Sequence, residues 1–283
     1  MAIEYLSGIR PGAKIDLSQF ANKPKIPSPE TYLPDLNLRL RDLSERLNTQ
    51  YGDFLENNSQ IKMCGKDEEA SRALIDAKES VWAKDSGKTK EMMLADREKN
   101  PANIAEIATT LLFDKVLKDE FIIVRASTYD DYENGADHLI IDKETGAIIC
   151  GLDDAILGSS IKDDGEKKKL KIDKKMEKGG AEIKYGLTIN EAGSLERKSL
   201  EHIPIFYFNL EKLEMNNILK SLASNNQELT ESEMLTYGKL INSLLEQVAK
   251  YTADKTLHPA LRNNLQSFAP SLKKMQNHIK ENN

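Results

Sequence analysis

Apolar residues recur with the period of an α-helix towards both ends of the chain. Leu36, Leu40, Leu43 and Leu47 are separated by four, three and four residues, which predicts an amphipathic helix beginning near Leu36 after an N-cap at Asp35. The same periodicity predicts a helix at 67–84, on Ala70, Leu74, Ala77 and Val81. It predicts further helices at 88–99, 101–117, 211–223, 231–253 and 257–281.

The middle of the chain carries short β-branched runs instead. They predict strands at 121–124, 138–141, 147–150, 182–189 and 203–208, the last with Pro204 at its start. The residues at 142–146 (Asp-Lys-Glu-Thr-Gly) have turn chemistry, so the second and third strands are expected to form a hairpin. The pattern predicts an α/β (α+β) protein with a small mixed β-sheet flanked by helices.

Composition divides the chain into three segments. Five prolines between Pro11 and Pro34 exclude a helix or central strand there, and interspersed apolar residues favour an extended arm that docks on the body. Residues 1–100 are therefore expected to be a Pro-rich arm and helical region. Residues 101–210 are expected to form the α/β core, and 211–283 the C-terminal helices.

Composition and charge also limit the class of protein. The 283 residues are 39% hydrophobic and 30% charged, with no long apolar stretch and no signal-peptide pattern, so we expect a cytoplasmic protein that does not enter membranes. Cys64 and Cys150 are too few for a disulfide framework. The net charge of -6 gives no support for nucleic-acid binding, although residues 162–180 hold eight lysines against five acids. That segment is either a solvated helix or a phosphate-facing patch.

Two familiar motifs are absent. Ser86-Gly87-Lys88-Thr89 ends like a phosphate-binding loop, but Trp82 stands where that loop needs its first glycine. The four histidines are scattered and lack the spacing of metal ligands.

The predicted hairpin carries the candidate chemistry. A turn centred near residue 144 places position 137 opposite position 151, so that Asp137 and Asp153 are diagonal neighbours within about 8 Å. Two converging carboxylates are stabilised by a shared hard cation such as Mg²⁺, and Glu106 on the preceding helix could add a third. Acids also form turns through their own side chains, which is the role we expect for Asp130, Asp131 and Asn134.

A helix carrying Glu106, a strand, a strand beginning at Asp137 and a strand ending in Asp153 resemble the core of the PD-(D/E)XK nuclease superfamily over residues 101–210. The phrase Asp-Asp-x-x-Asn-Gly-x-Asp at 130–137 is also similar to uncharacterised proteins of uncultivated bacteria with small genomes. The resemblance implies a restriction-endonuclease-like core. It implies that Asp137 and Asp153 bind Mg²⁺, supported by Glu106, for hydrolysis of nucleic-acid phosphodiesters.

The sequence departs from this family at one position. The superfamily has a lysine two residues after the second acid, where this chain has Ala155, so Lys184 on the next strand is the first substitute to consider. One hypothesis is therefore a Mg²⁺-dependent nuclease or nuclease-like protein that acts on nucleic acid. The alternative is a non-catalytic interaction module with a degenerate site, whose helical flanks bind a protein partner. Its C-terminal helices could also pair with a second copy.

Overall fold

The structure, a computed structural model, describes residues 28–157, 163–224 and 228–281. It confirms the α/β (α+β) class, with small mixed sheets flanked by helices. A 3₁₀ turn at Pro29–Tyr32 precedes the first helix. The helices are α1 (Leu33–Tyr51), α2 (Glu68–Asp85), α3 (Lys90–Glu98), α4 (Pro101–Leu117), α5 (Asp163–Glu177), α6 (Lys212–Ala223), α7 (Glu231–Ala253) and α8 (Pro259–Glu281). The strands are β1 (Phe121–Arg125), β2 (His138–Asp142), β3 (Ile148–Leu157), β4 (Ala181–Ile189), β5 (Leu195–Ile203) and β6 (Ile205–Glu211).

The main sheet has the strand order β1-β2-β3-β6. The first three strands form an antiparallel meander, and β6 pairs with β3 in parallel. A parallel pair needs a crossover connection, which here contains α5 and a separate antiparallel hairpin of β4 and β5. The helix–strand–strand–strand order expected for residues 101–157 is present.

Helix α1 starts earlier than the sequence predicted. It begins at Leu33 with Pro34 in its first turn, where a missing N–H donor costs no hydrogen bond, and Asp35 lies inside the helix as a first-turn acid. Residues 11–27 of the expected arm lie outside the described residues. The leucine stripe is confirmed, since Leu36, Leu40, Leu43 and Leu47 are all buried.

Helix α2 buries a different face from its predicted apolar positions. Leu74 and Val81 are exposed, whereas Ser71, Ile75, Glu79 and Ala83 are buried. Glu79 accepts a hydrogen bond from the Tyr132 hydroxyl and pairs with Lys90, so a polar network positions this helix. The Ser86–Thr89 segment links α2 to α3, and the Thr89 hydroxyl accepts the first-turn N–H of Met92.

The predicted strand at 203–208 is two strands. Pro204 has no N–H to donate to a sheet ladder, and β5 ends at Ile203 before β6 starts at Ile205. Strand β5 was not predicted because its outward positions are charged and only its two end residues, Leu195 and Ile203, are buried.

One hydrophobic core joins these elements. Its buried members run from Leu36 in α1, through the α4 helix and the main sheet, to Met275 in α8. Helix α4 is buried almost all round, and of its two acids Asp114 pairs with Arg46 of α1, whereas Glu106 faces Arg125 at the end of β1. In the part of the chain that the structure describes, no helix combines the length and the apolar character needed to cross a membrane.

Candidate functional site

The hairpin brings Asp137 and Asp153 together in a different register from the one predicted. His138 is opposite Leu152, so position 137 is level with position 153 rather than with 151. One residue of the difference comes from the position of the turn, since Ile141 is opposite Ile148, and the other from a bulge between Ile140 and Ile141 on the β3 side of the ladder. Asp137 lies one residue ahead of β2, and its hydrogen bonds to the Leu152 carbonyl and the Asp154 N–H place it across from the segment that carries Asp153.

Backbone hydrogen bonds hold Asp137 at this position. Its N–H donates to the carbonyl of Leu152 at 2.8 Å, and its own carbonyl accepts the N–H of Ala126. Its side-chain Oδ2 accepts the N–H of Asp154 at 2.6 Å. The carboxylate is thus fixed across the hairpin through one of its two oxygens.

A π-helical turn at Asp130–Asn134 leads the chain into Asp137. Asp130 is fully buried, and its carboxylate accepts hydrogen bonds from the Ser127 hydroxyl and the Asn134 amide, as expected of a turn former. It also accepts the backbone N–H groups of Lys184 and Tyr185 in β4. Asp130 therefore ties the turn to the inserted hairpin as well.

Two arginines pair with the acids on either side of Asp137. Arg125, at the end of β1, donates to Glu106 at 2.6 Å, so Glu106 approaches the site as an ion-paired carboxylate. Arg97 of α3 pairs with Asp131 at 2.7 Å and lies over the ring of Tyr132. Asp131 thus does more than form a turn, because it is the anchor for the N-terminal helices.

The lysine that reaches the hairpin is Lys168 of α5. Its Nζ lies 2.6 Å from Oδ1 of Asp153 and also donates to the carbonyl oxygen of Asp154. Lys184, the substitute considered from the sequence, instead donates to the Ser71 hydroxyl and lies over the rings of Tyr129 and Tyr185. Asp137 therefore lies within electrostatic range of both Asp153 and Glu106, and the lysine that pairs with Asp153 is Lys168.

The side chains around Asp137 include more acidic than basic groups. We use the term acidic cluster for its five carboxylates: Glu106, Asp131, Asp137, Asp153 and Asp154. Arg125, Arg97 and Lys168 pair with three of them. Among the described residues, no lysine or arginine forms an ion pair with Asp137 or Asp154. Two buried negative charges are therefore left without a fixed cation, and each requires a proton or a bound cation.

Burial and mutual repulsion raise the pKa values of the cluster. Burial raises the pKa of Asp137 well above its ordinary value, and the nearby charges of Glu106 and Asp153 raise it further. Burial raises the pKa of Asp154 to about 8, and burial and Glu106 together raise that of Asp131 to about 6. Burial acts to lower the pKa of Lys168, but Asp137 and Asp153 outweigh it and raise the pKa.

Asp154 has the least satisfied carboxylate of the cluster. Both its oxygens are buried and form no hydrogen bond of regular geometry within the described structure, and the nearby Thr109 hydroxyl offsets only part of the rise in its pKa. The nearest ring nitrogen is Nδ1 of His138, at 3.8 Å, which is too long for a hydrogen bond. Burial lowers the pKa of His138 to about 4, so this imidazole is neutral and cannot replace a cation. Its Nε2 lies within hydrogen-bond distance of the Glu106 carbonyl and the Thr110 hydroxyl.

The residues present suit a hard divalent ion held by few protein ligands. Within residues 28–157, 163–224 and 228–281, no three His, Cys, Asp or Glu side chains converge in a set that could hold a metal ion. Mg²⁺ commonly takes only one or two carboxylates and keeps several waters. Asp137 and Asp153 supply two such carboxylates, and the unpaired oxygens of Asp154 show where charge is uncompensated.

Comparisons with known proteins add no further constraint. No protein-family model, no curated protein and no solved structure matches this chain.

Sequence reasoning missed Lys168, Asp154 and the two arginines. Lys168 is one of eight lysines in its segment, and only its place on α5 distinguishes it. Asp154 follows Asp153 directly in the sequence. Adjacent residues of a strand point to opposite faces, so the sequence offered Asp154 as an acid on the other face of β3. No local pattern links Arg97 or Arg125 to their partners.

Proposed function

We propose that this protein is a Mg²⁺-dependent nuclease that hydrolyses nucleic-acid phosphodiesters at the acidic cluster. The observation that carries the proposal is Asp137, a buried carboxylate that has no ion-pair partner among the described residues and lies beside Asp153 across the β2–β3 hairpin. One divalent ion bound by Asp137 and Asp153 would neutralise the charge of Asp137. The order of a helix with Glu106, a strand and two acid-bearing strands supports the resemblance to the PD-(D/E)XK superfamily.

Each side chain of the proposed site would have a separate role in hydrolysis. Asp137 and Asp153 would hold the ion, which when bound lowers the pKa of a water molecule and offsets charge on the phosphate. Lys168, fixed by Asp153 and the Asp154 carbonyl, would position the attacking water and stabilise the developing negative charge. Glu106 would support the ion or the water molecule from helix α4. Its ion pair with Arg125 would hold its carboxylate in a single orientation.

Metal-dependent stability is the first test. A bound ion stabilises the folded state by mass action, by about 2.7 kcal/mol at one hundred times its dissociation constant. We expect Mg²⁺ or Mn²⁺ to raise the melting temperature of the wild type, and Asp137→Asn and Asp153→Asn to abolish that rise. Asp119→Asn, at an exposed aspartate, is the matched control.

Cleavage is the second test. We expect nicking of plasmid or single-stranded substrate that requires the metal and is lost in Asp137→Asn and Asp153→Asn but not in Asp119→Asn. A wild type that shows neither a metal-dependent melting shift nor cleavage would exclude the nuclease.

One observation favours the alternative, a non-catalytic interaction module. The ammonium group of Lys168 already neutralises Asp153, as a metal ion would, so the cluster could be a purely structural remnant. In that case Mg²⁺ has no effect on melting, and the helical flanks bind a protein partner or a second copy. Sedimentation at increasing concentration tests self-association.

A further inference from the structure

The basic face of α5 continues beyond Lys168. Lys168, Lys171 and Lys175 are spaced by three and four residues, which aligns them on one side of the helix. Lys168 contacts Asp153, and Lys175 donates to the carbonyl oxygen of Asn134 at the end of the π-helical turn. This face therefore lies against Asp153 and the π-helical turn.

Gly135 marks a point where two of these lysines converge. It has a left-handed backbone, with φ of +58°. A methyl group placed on it would lie 3.6 Å from Nζ of both Lys171 and Lys175, and 3.8 Å from Oδ2 of Asp153. The two ammonium nitrogens are therefore separated by no more than twice 3.6 Å, and both lie in van der Waals range of the position that a side chain at 135 would occupy.

The two ammonium groups form no ion pair with any carboxylate of the described residues. Burial lowers the pKa of Lys175, and the charge of Lys171 lowers it further, whereas the charge of Asp153 acts in the opposite direction. Lys171 is exposed, so the two like charges can be stabilised by an anion that approaches from solvent, and a phosphate has enough oxygens to accept from both.

We propose that Lys171 and Lys175 bind a backbone phosphate of a nucleic-acid strand at the solvent-exposed side of α5, near Gly135 and Asp153. This inference rests on the proposed nuclease function and names the residues that position its substrate. The carboxylate of Asp153 repels a phosphate at this point, so a divalent ion at the acidic cluster strengthens binding. By linkage, the nucleic acid strengthens metal binding by the same factor.

The experiment is fluorescence anisotropy with labelled DNA duplex, single-stranded DNA and single-stranded RNA of one sequence, with Ca²⁺ replacing Mg²⁺ to prevent turnover. Lys171→Gln/Lys175→Gln should weaken binding at least about tenfold and make the slope of log affinity against log salt shallower by about 1. Lys220→Gln/Lys273→Gln removes the same charge from two exposed lysines outside α5, and should bind as the wild type does.

Folding and metal binding are checked separately. The single variant Lys171→Gln changes an exposed residue, so it should fold normally and lose part of the affinity. Both variants should keep the Mg²⁺-dependent melting shift. If the wild type binds a probe and the double variant binds it equally well, this inference fails and the nuclease proposal stands. A wild type that binds no probe overturns the inference, and the cleavage assay then decides the proposed function by itself.

Discussion

The backbone N–H of Asp154 donates to Oδ2 of Asp137 at 2.6 Å, directly across the β2–β3 hairpin. A carboxylate that accepts an N–H at this distance is held in one orientation, and its second oxygen remains available for another ligand. This bond also fixes the position of β3, which contains Asp153 and Asp154, relative to Asp137. The positions of Asp137, Asp153 and Asp154 relative to one another are therefore set by the hairpin itself.

Replacement of Lys168 separates the functional hypotheses. Lys168→Met removes the cation beside Asp153, and because the lysine side chain is partly exposed we expect a loss of only about 1–3 kcal/mol in unfolding free energy without metal. If the cluster binds Mg²⁺, the ion restores the lost stability but not cleavage. Thermal melting with and without Mg²⁺, together with the nicking assay, measures both effects.

Lys184→Met is the matched control for Lys168→Met. Its ammonium group contacts Ser71 and two tyrosine rings, so cleavage and the Mg²⁺-dependent shift should be unchanged. Loss of cleavage in Lys184→Met with full activity in Lys168→Met would reverse the assignment of the lysine.

Stability should fall with rising pH in the absence of metal. The folded pKa of Asp154, about 8, lies above that of an unfolded aspartate, so between these values the folded chain holds a proton that the unfolded chain has released. His138 acts in the opposite direction, but only between its folded pKa of about 4 and its unfolded value of about 6.5. Urea unfolding should show a loss of about 1–2 kcal/mol between pH 6.5 and 8.

Asp154→Asn tests whether Asp154 causes the fall in unfolding free energy with rising pH. The amide is neutral at every pH, so the variant should have a flatter profile than the wild type and a higher unfolding free energy at pH 8. Saturating Mg²⁺ should also flatten the wild-type profile, because it replaces the protons of the cluster. An unchanged slope in Asp154→Asn would place the titrating group elsewhere.

Asp130 should be essential for stability. Its buried carboxylate accepts hydrogen bonds from Ser127, Asn134 and two N–H groups of β4. Asp130→Ala leaves these donors without an acceptor, and we expect a loss of about 3–5 kcal/mol in chemical denaturation. Asp119→Ala, at an exposed position, should cost less than about 0.5 kcal/mol, and a similarly small cost for Asp130→Ala would contradict the role.

Gly146 joins the β2–β3 turn to the inserted hairpin. Its φ is +70°, its carbonyl accepts the N–H of Ile189, and an added Cβ would lie 2.5 Å from the carbonyl oxygen of Ile189. Gly146→Ala should therefore cost about 2–4 kcal/mol, from both strain and displacement of β4. Gly193 has a similar φ of +77° with no atom within 4 Å, so Gly193→Ala should cost only about 1 kcal/mol. Equal costs would show that the clash is relieved elsewhere.

The sequence predicted individual helices and strands more accurately than the contacts between them. Helices α4 and α7 have the predicted bounds, because a turn of α-helix is specified by residues three and four apart. The register of the hairpin was wrong by two residues in the sum of its paired positions. The turn accounts for one of them, and the bulge at Ile140 and Ile141, which has no local signature, accounts for the other. Strand β5 was missed because its exposed positions carry no apolar alternation.

The sequence by itself determined the fold class, most helices and strands, and the acids Glu106, Asp137 and Asp153. Only the tertiary structure decided that Lys168 rather than Lys184 contacts Asp153, and that no lysine or arginine of the described residues pairs with Asp137 or Asp154. The physical reason is that a periodic pattern acts within one element. Ion pairs such as Arg97–Asp131 and Lys168–Asp153 join different elements, whose relative positions are fixed by packing of the whole core.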